Sequence, residues 1–361
     1  MNAPIIRSRI IVSVADLRDE HEYARIDAWV CGHGESTPFH RPAWQMAIER
    51  ATGQQSVCLI AENTLGEISG LLPMHLVHSP LFGRALVSSG FAVGGGILSN
   101  SPTAVRRLAD AAWDYAQRHS CPTLELRGGD LPGGKYAGGW QIKRGAHANF
   151  ARALADDDET ELLAIPRKQR AEVRKGFKNE LTVETGQGKR DLDWHYAVYS
   201  ESVRNLGTPV FPKALMAETM AAFGKDADIL TVLSQGRPVA SVLSLYHEGT
   251  VMPYWGGGVW DARRLRANDV MYYSLMNHAR ERGCDRFDFG RSKVDSGAYF
   301  FKKNWGFEPQ PLAYGVRTAD GSEPRDVNPA SPKYRAQIAI WQKLPHSIAN
   351  RFGPWIAKGL G

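Results

Sequence analysis

The chain has 361 residues, of which 43% are hydrophobic and 23% charged. That balance belongs to a folded globular protein and excludes a disordered one, and the length accommodates two domains better than one compact core. A formal net charge of +6 suits anionic partners such as phosphorylated small molecules, RNA or acidic lipid headgroups. No apolar run approaches the roughly 20 residues that cross a bilayer, so no transmembrane segment is expected.

The first thirty residues alternate apolar and charged positions, with no apolar core or small-residue cleavage site, so no secretory signal is expected and the cytoplasm is the default compartment. Cys31, Cys58, Cys121 and Cys284 are scattered and form no CxxC pair, which argues against a structural metal or a disulfide framework.

In chain order, VCLIAENTLGEISGLLPMHLVHS predicts a β-hairpin turning at Gly66. Gly94, Gly95 and Gly96 follow as a glycine-rich turn, then VRRLADAAWDYAQRHS as an amphipathic helix and CPTLELRGG as a strand. The same order recurs in DILTVLSQGRPVASVLSLYHEGT (turning at Gly236), Gly256 to Gly258, NDVMYYSLMNHARERG and CDRFDFGRS, displaced by roughly 160–170 residues, about a domain length. Four matches in one order indicate duplication. The fold expected is α/β, two tandem domains of mixed sheet flanked by helices. Between the copies, Asp156 to Glu159 suit one helix start and Pro166 another. The boundary is placed near residue 155, giving domains 1–155 and 156–325 and a tail 326–361.

Candidate chemistry concentrates in the second copy. PRKQRAEVRKGFK sets Arg167, Arg170, Arg174 and Lys178 on one helical stripe, which could grip phosphates of a nucleotide-linked or RNA ligand or be a solvated face. Asn205 and Thr208, in RNLGTP, and Tyr254, beside the glycines, are candidates for an acceptor pocket. Gly256, Gly257 and Gly258, with Arg263, Arg264 and Asn268, form a candidate phosphate cradle before a helix start. This is neither the GxGxxG fingerprint nor a Walker loop.

In FDFGRSK, alternation puts Phe287 and Phe289 on one face and Asp288 on the other, with Arg291, Ser292 and Lys293 beyond the strand end. A carboxylate buried there needs a partner. GAYFFKKNWGF reads as a short helix ended by Gly306. Its adjacent lysines must point about 100° apart, and Lys302 is the better candidate for meeting an aromatic wall. After Asp326 the tail has no acidic residue and mixes Trp341, Ile348, Phe352 and Trp355 with Lys343, Arg351 and Lys358. Docking back on the protein is the favoured reading, and peripheral contact with an anionic membrane the second.

The strings FHRPAW, LFGRALVS, IPRKQRAEVRKG, SVRNLGTPVF, FDFGRSK and FKKNWGFEP resemble the FemAB-like proteins associated with exosortase/PEP-CTERM systems. They are also similar to the wider group of peptidoglycan-bridge aminoacyltransferases and BioF2-like acetyltransferases. The resemblance runs from about His40 to the tail and implies tandem N-acetyltransferase-like (GNAT) domains. It implies acyl or aminoacyl transfer to an amine or hydroxyl of a peptidoglycan, exopolysaccharide or other cell-envelope precursor, which could be lipid-linked. The donor would be acyl-CoA or aminoacyl-tRNA, with no tightly bound cofactor and no metal. By position the family's FK-x-x-(W/F)-G lysine falls on Lys302, while the long helical arm of some Fem enzymes has no counterpart. Absence of GxSxG points to direct transfer, with Lys302 stabilising charge and Asp288 handling or positioning a proton. A non-catalytic module binding an envelope precursor or tRNA is the competing class.

Overall fold

The computed structural model describes residues 9–133, 138–321 and 335–359. The elements of the first half are β1 (Ile11–Ala15), α1 (Glu20–Cys31), α2 (Pro42–Thr52), β2 (Gln55–Glu62), β3 (Ile68–Ser79), β4 (Gly83–Ser88), β5 (Leu98–Ser99), α3 (Pro102–Arg118) and β6 (Thr123–Arg127). Then come β7 (Gln141–Ala153), α4 (Asp158–Ala164), α5 (Arg167–Gly176), β8 (Leu181–Gly186), α6 (Lys189–Asn205), α7 (Lys213–Phe223), β9 (Ala227–Ser234), β10 (Arg237–His247) and β11 (Thr250–Gly258). The chain ends with α8 (Ala262–Leu265), α9 (Ala267–Glu281), β12 (Arg286–Asp288), β13 (Ser292–Lys293), α10 (Gly297–Asn304), β14 (Pro309–Thr318), α11 (Arg335–Lys343) and α12 (His346–Ala357).

Two compact units emerge, changing over between Lys143 and Arg144. The sequence placed this boundary near residue 155; the difference arises because most of β7 is a strand of the second unit's sheet. Residues 313–321 return to the first unit, and α11 and α12 belong to the second.

In the first unit, β1, β2, β3 and β4 are antiparallel neighbours, β4 pairs parallel with β6, and β6 pairs antiparallel with the end of β14. The hairpin turn at Gly66 adopts φ +78°, a conformation that favours glycine. Helix α3 buries Ala104, Leu108, Ala112 and Ala116 against the sheet, at helical spacing. The parallel pairing of β4 with β6 lasts only two rungs, Leu86 with Leu124 and Val87 with Glu125. The strands then diverge, and the Gly94–Ile97 loop fills the gap. Asp130 N donates to Ile97 O at 2.8 Å, and a Cβ on Gly96 would lie 1.9 Å from Gly128 O. Only glycine fits at that point.

The second unit repeats the plan. Strands β8, β9, β10 and β11 form an antiparallel meander, β11 pairs parallel with β12, and β12 pairs antiparallel with β7. The β9–β10 turn has positive φ at both Gln235 and Gly236, matching the twist of the strands it joins. Helix α9 packs Met271, Leu275 and Met276 on one face of the sheet with Phe150, Phe287, Trp305 and Phe307, while α6 packs against the strands as well. The expected glycine turn before the helix is corrected here. Gly256 to Gly258 are the extended last residues of β11, preceded by a hairpin at Glu248 and Gly249. Their lack of side chains admits neighbours, since a Cβ on Gly257 would lie 2.3 Å from Ser202 Oγ and one on Gly258 2.6 Å from Asn268 Oδ1.

Strand β7 is tied to α4 by an ion pair between Arg152 and Glu161, a residue with no solvent exposure. Both carboxylate oxygens accept from the guanidinium, Ala155 N donates to Oε2 at 2.8 Å, and the guanidinium stacks over Phe307 at 4.7 Å. Removing one partner strands the other charge, so Glu161→Ala should destabilise the protein by about 3 kcal/mol or more. Urea unfolding measures this, and a loss below about 1 kcal/mol would show the pair to be dispensable.

Candidate active site

The second unit's parallel pair builds the site. β11 and β12 share two rungs, Thr250 with Arg286 and Val251 with Phe287. Beyond them β12 turns away, and the next strand, β13, pairs with β7 through Ser292 and Lys293. The remaining edge of β11, through Tyr254 to Gly258, therefore has no strand beside it among the described residues. A strand edge with no neighbouring strand can receive an extended ligand by backbone hydrogen bonds.

The wall opposite that edge is the Phe289–Arg291 loop, held from two directions. Lys302 Nζ donates to the carbonyls of Phe289, Gly290 and Arg291 at 2.7, 2.9 and 3.1 Å. Asp288 Oδ1 accepts from Gly290 N at 2.7 Å, and Oδ2 accepts from Asn149 Nδ2 at 3.2 Å. Gly290 adopts φ +67°, which makes this close turn accessible. The ammonium also lies 5.5 Å from the centre of the Phe150 ring. Lys302 and Asp288 thus converge on one loop, as their places in the sequence suggested, and Lys303 is exposed. All three ammonium protons are engaged by backbone. In this arrangement Lys302 fixes the wall of the gap and is not a free cation within it.

Tyr272 on α9 was not singled out from sequence, where it read as one more helical aromatic. Its ring packs 5.0 Å from Phe289 and 6.1 Å from Trp305. Its hydroxyl lies where a Cβ on Gly256 would be 3.4 Å away. This hydroxyl therefore lies against the face of β11 at Gly256, while its ring packs on Phe289 of the pinned loop. Burial pushes the phenol up to about 12, so it remains a proton donor near neutral pH.

The basic residues gather at the start of α9. Arg263 and Arg264 are exposed on α8, and Arg263 lies 5.9 Å over Trp260. Arg266 pairs with Glu172 of α5 at 2.8 Å, and Asn179, just past α5, donates to Leu265 O at 2.8 Å. This packing brings the C-terminal end of α5 beside the α8 arginines. Arg167, Arg170 and Arg174 on α5, with Lys178 just past its end, line a shallow depression of about 270 Å³. Arg170 donates to Leu163 O at 3.1 Å, whereas Arg167, Arg174 and Lys178 have no acidic partner among the described residues. Asn268 lies in the first turn of α9 with its Oδ1 buried and unpartnered beside Gly258.

Other candidates lie elsewhere around β11. Tyr254 is half-buried, its ring 4.9 Å from Trp255. Asn205 is committed to local structure, accepting from Arg204 through its side chain at 2.8 Å and from Gln342 through its carbonyl at 3.1 Å. Thr208 N bonds to Val203 O at 2.9 Å in the same turn. Arg291 is half-buried in the pinned loop and Lys293 is exposed on β13.

Burial lowers the Lys302 pKa from the ordinary lysine value to about 7, with Asp288 opposing the shift and Arg291 adding to it. Below that pH the amine is protonated in folded and unfolded chains alike. Between about 7 and the ordinary lysine value only the unfolded chain keeps the proton, so stability contributed by this group rises with pH. Lys302→Met removes that titration. The wild type should therefore gain on this variant from pH 7 to 9, by up to about 1.4 kcal/mol per pH unit. Denaturation of both proteins at the two pH values measures it, and a difference independent of pH would show that the three carbonyls keep the ammonium charged.

Residues 167–303, from α5 into α10, match the family model described as an acetyltransferase (GNAT) domain. No curated protein matches the chain's sequence. Among solved structures, FemX is similar at 16% identity and TM-score 0.64, over 81% of this chain and 95% of that one. The C-terminal domain of a putative lysylphosphatidylglycerol synthetase from Agrobacterium fabrum is similar at 13% identity and TM-score 0.54, over 82% and 92%. A tandem GNAT protein from the clavulanic acid biosynthesis pathway is similar at 13% identity and TM-score 0.52, over 88% and 100%. At such identities the likeness is one of fold. The chain is a mixed α/β protein of tandem GNAT fold, and the match to the GNAT domain model falls within its second unit.

Proposed function

We propose that this protein is an acyl- or aminoacyltransferase acting in the second unit on an amine or hydroxyl of a cell-envelope or exopolysaccharide precursor. The observation that carries the reading is the open edge of β11 beside a doubly pinned loop, with the Tyr272 hydroxyl against β11 at Gly256 and its ring on Phe289. An acyl donor would lie along that edge with its phosphates toward the start of α9, near Arg263, Arg264 and Asn268, where helix N–H groups and guanidinium groups favour anions. Acyl-CoA fits the GNAT domain. Aminoacyl-tRNA is the competing donor, and the unpaired stripe of Arg167, Arg174 and Lys178 supports it.

Transfer would be direct. The acceptor's nitrogen or oxygen forms a bond to the acyl carbon and gives up its proton to solvent. The carbonyl oxygen gains negative charge, and collapse breaks the bond to the donor's sulfur or oxygen, which departs taking up a proton. Tyr272, protonated at neutral pH, can donate a hydrogen bond to that developing charge or to the leaving group. Asp288 and Lys302 act by holding the loop that shapes the gap. Asn205, Thr208 and Tyr254 lie on the side from which the acceptor would approach. Its place of action would be the cytoplasmic face of the membrane. Among the described residues no helix is long and apolar enough to cross a bilayer.

Binding without transfer is the other reading, favoured by the complete engagement of the Lys302 ammonium. Incubating purified protein with labelled acyl-CoA or aminoacyl-tRNA and an envelope extract, then identifying modified species by mass, separates the two. Product from neither donor, alongside tight binding of an envelope precursor, would sink the transferase reading. In the active system Tyr272→Phe should lower kcat by about 100-fold, the scale of one oxyanion donor, with little change in KM. An unchanged kcat would remove Tyr272 from the chemistry.

A further inference from the structure

Helix α12 is fastened to the second unit by small residues. Ala349, Gly353 and Ala357, spaced by four, are buried. A Cβ on Gly353 would lie 3.0 Å from Val210 N, so the helix sits close against the body. His346 Nε2 lies 2.9 Å from Ser200 Oγ on α6, and Asn350 Nδ2 donates to the same hydroxyl at 3.4 Å. Arg204 on α6 donates to Leu344 O at 3.2 Å between α11 and α12, and Gln342 on α11 reaches Asn205 O. These contacts fix which face of α12 points outward.

The outward face carries the large apolar side chains. Ile348, Phe352 and Trp355 are 42%, 53% and 58% exposed, and their spacing of four and three places them in one narrow stripe. On α11 Ile340 is 64% exposed, and Leu206, just past α6, is 66% exposed. This inverts the ordinary amphipathic helix, which buries its bulky apolar residues and leaves small or polar ones outside. Exposed Lys343 and Arg351 accompany the stripe without acidic partners among the described residues, and no acidic residue occurs after Asp326. Phenylalanine, tryptophan and isoleucine beside unpaired cations suit the boundary between acyl chains and anionic headgroups.

We propose that the outer face of α11 and α12 docks peripherally on an anionic lipid bilayer, seating Ile340, Ile348, Phe352 and Trp355 among the headgroups. Charge complementarity selects this occupant. A protein partner or a second copy would need an acidic rim against Lys343 and Arg351, and this chain's tail offers none. The proposal is independent of the transfer reaction, because it rests on the exposed face alone.

Co-sedimentation of the full chain with vesicles of phosphatidylcholine, alone or mixed with phosphatidylglycerol, tests it. Binding should be roughly tenfold or more tighter on the mixed vesicles and should fall as salt is raised. Phe352→Ser combined with Trp355→Ser should abolish pelleting. Both residues are exposed, so circular dichroism should be unchanged. Arg351→Glu with Lys343→Glu should remove the preference for phosphatidylglycerol. Failure of the wild type to bind mixed vesicles would overturn the proposal, as would binding that both double variants retain. Self-association on sedimentation velocity that is lost in Phe352→Ser/Trp355→Ser, without vesicle binding, would assign the face to a second copy instead.

Discussion

A buried ammonium ion is costly unless every proton finds an acceptor, and Lys302 meets that demand with three successive carbonyls. The requirement runs in both directions. The carbonyls of Phe289, Gly290 and Arg291 can converge only if the chain curls immediately after β12, and that curl ends the pairing of β12 with β11 after two rungs. The open edge of β11 therefore depends on one side chain from α10. Strand β7 supplies the backing. Asn149 holds Asp288, Phe150 O accepts from Phe289 N at 2.8 Å, the Phe150 ring lies beside the ammonium, and Arg152 anchors the strand through Glu161. Alternate residues of one strand thus serve the polar and apolar sides of the same loop.

The first unit shows what the fold does without such a pin. β4 and β6 also diverge after two rungs, yet the gap holds its own chain, with Ile97 bridging to Gly129 and Asp130. The preceding loop is equally constrained. His75 Nδ1 accepts from Gly90 N at 3.0 Å, so its Nε2 carries the hydrogen toward Gln45 O at 3.2 Å. Burial holds this imidazole neutral, with a pKa of about 4. Trp44 Nε1 donates to Gly90 O at 3.1 Å, and Ser89 Oγ to Phe39 O at 2.5 Å. The FHRPAW motif is therefore a brace for the closed loop. The same parallel-strand divergence is a filled joint in one unit and an open edge in the other.

The duplicated order of hairpin, helix and strand was legible because each step carries a local signal: Gly66 and Gly236 at turns, helical spacing in α3 and α9, and alternation around Phe287. The contrast between Lys302 and Lys303 was equally legible, since adjacent helical residues cannot share a face. The fourth meander strand in each unit was not. Three consecutive glycines read as a loop by conformational preference, but at Gly256 to Gly258 their value lies in the Cβ atoms they lack, a property of the neighbours Ser202, Ala262 and Asn268. Tyr272 was hidden for a related reason. In MYYSLM nothing local separates its hydroxyl from that of Tyr273, which donates to Asp158 O at 2.9 Å.

That difference between neighbouring tyrosines bears on how the site is kept usable. Some buried polar groups of the second unit are matched locally, as with Asp228, which accepts from Tyr246 and His278 at 2.8 Å and from Arg282 at 3.2 Å, whereas the buried hydroxyls of Thr219, Ser244 and Ser292 have no partner among the described residues. Such networks rigidify the sheet behind β11 because each member is satisfied only in one geometry. Along the gap the pattern changes. Among the described residues Tyr272 donates to no protein group and Asn268 Oδ1 is unmatched, and the arginines of α8 face solvent. Groups left unsatisfied beside a rigid frame retain hydrogen-bonding capacity for a ligand, and their cost is borne by the networks behind them. On the proposed reading, the unspent polar groups beside the open edge of β11 are the ones a ligand there would use.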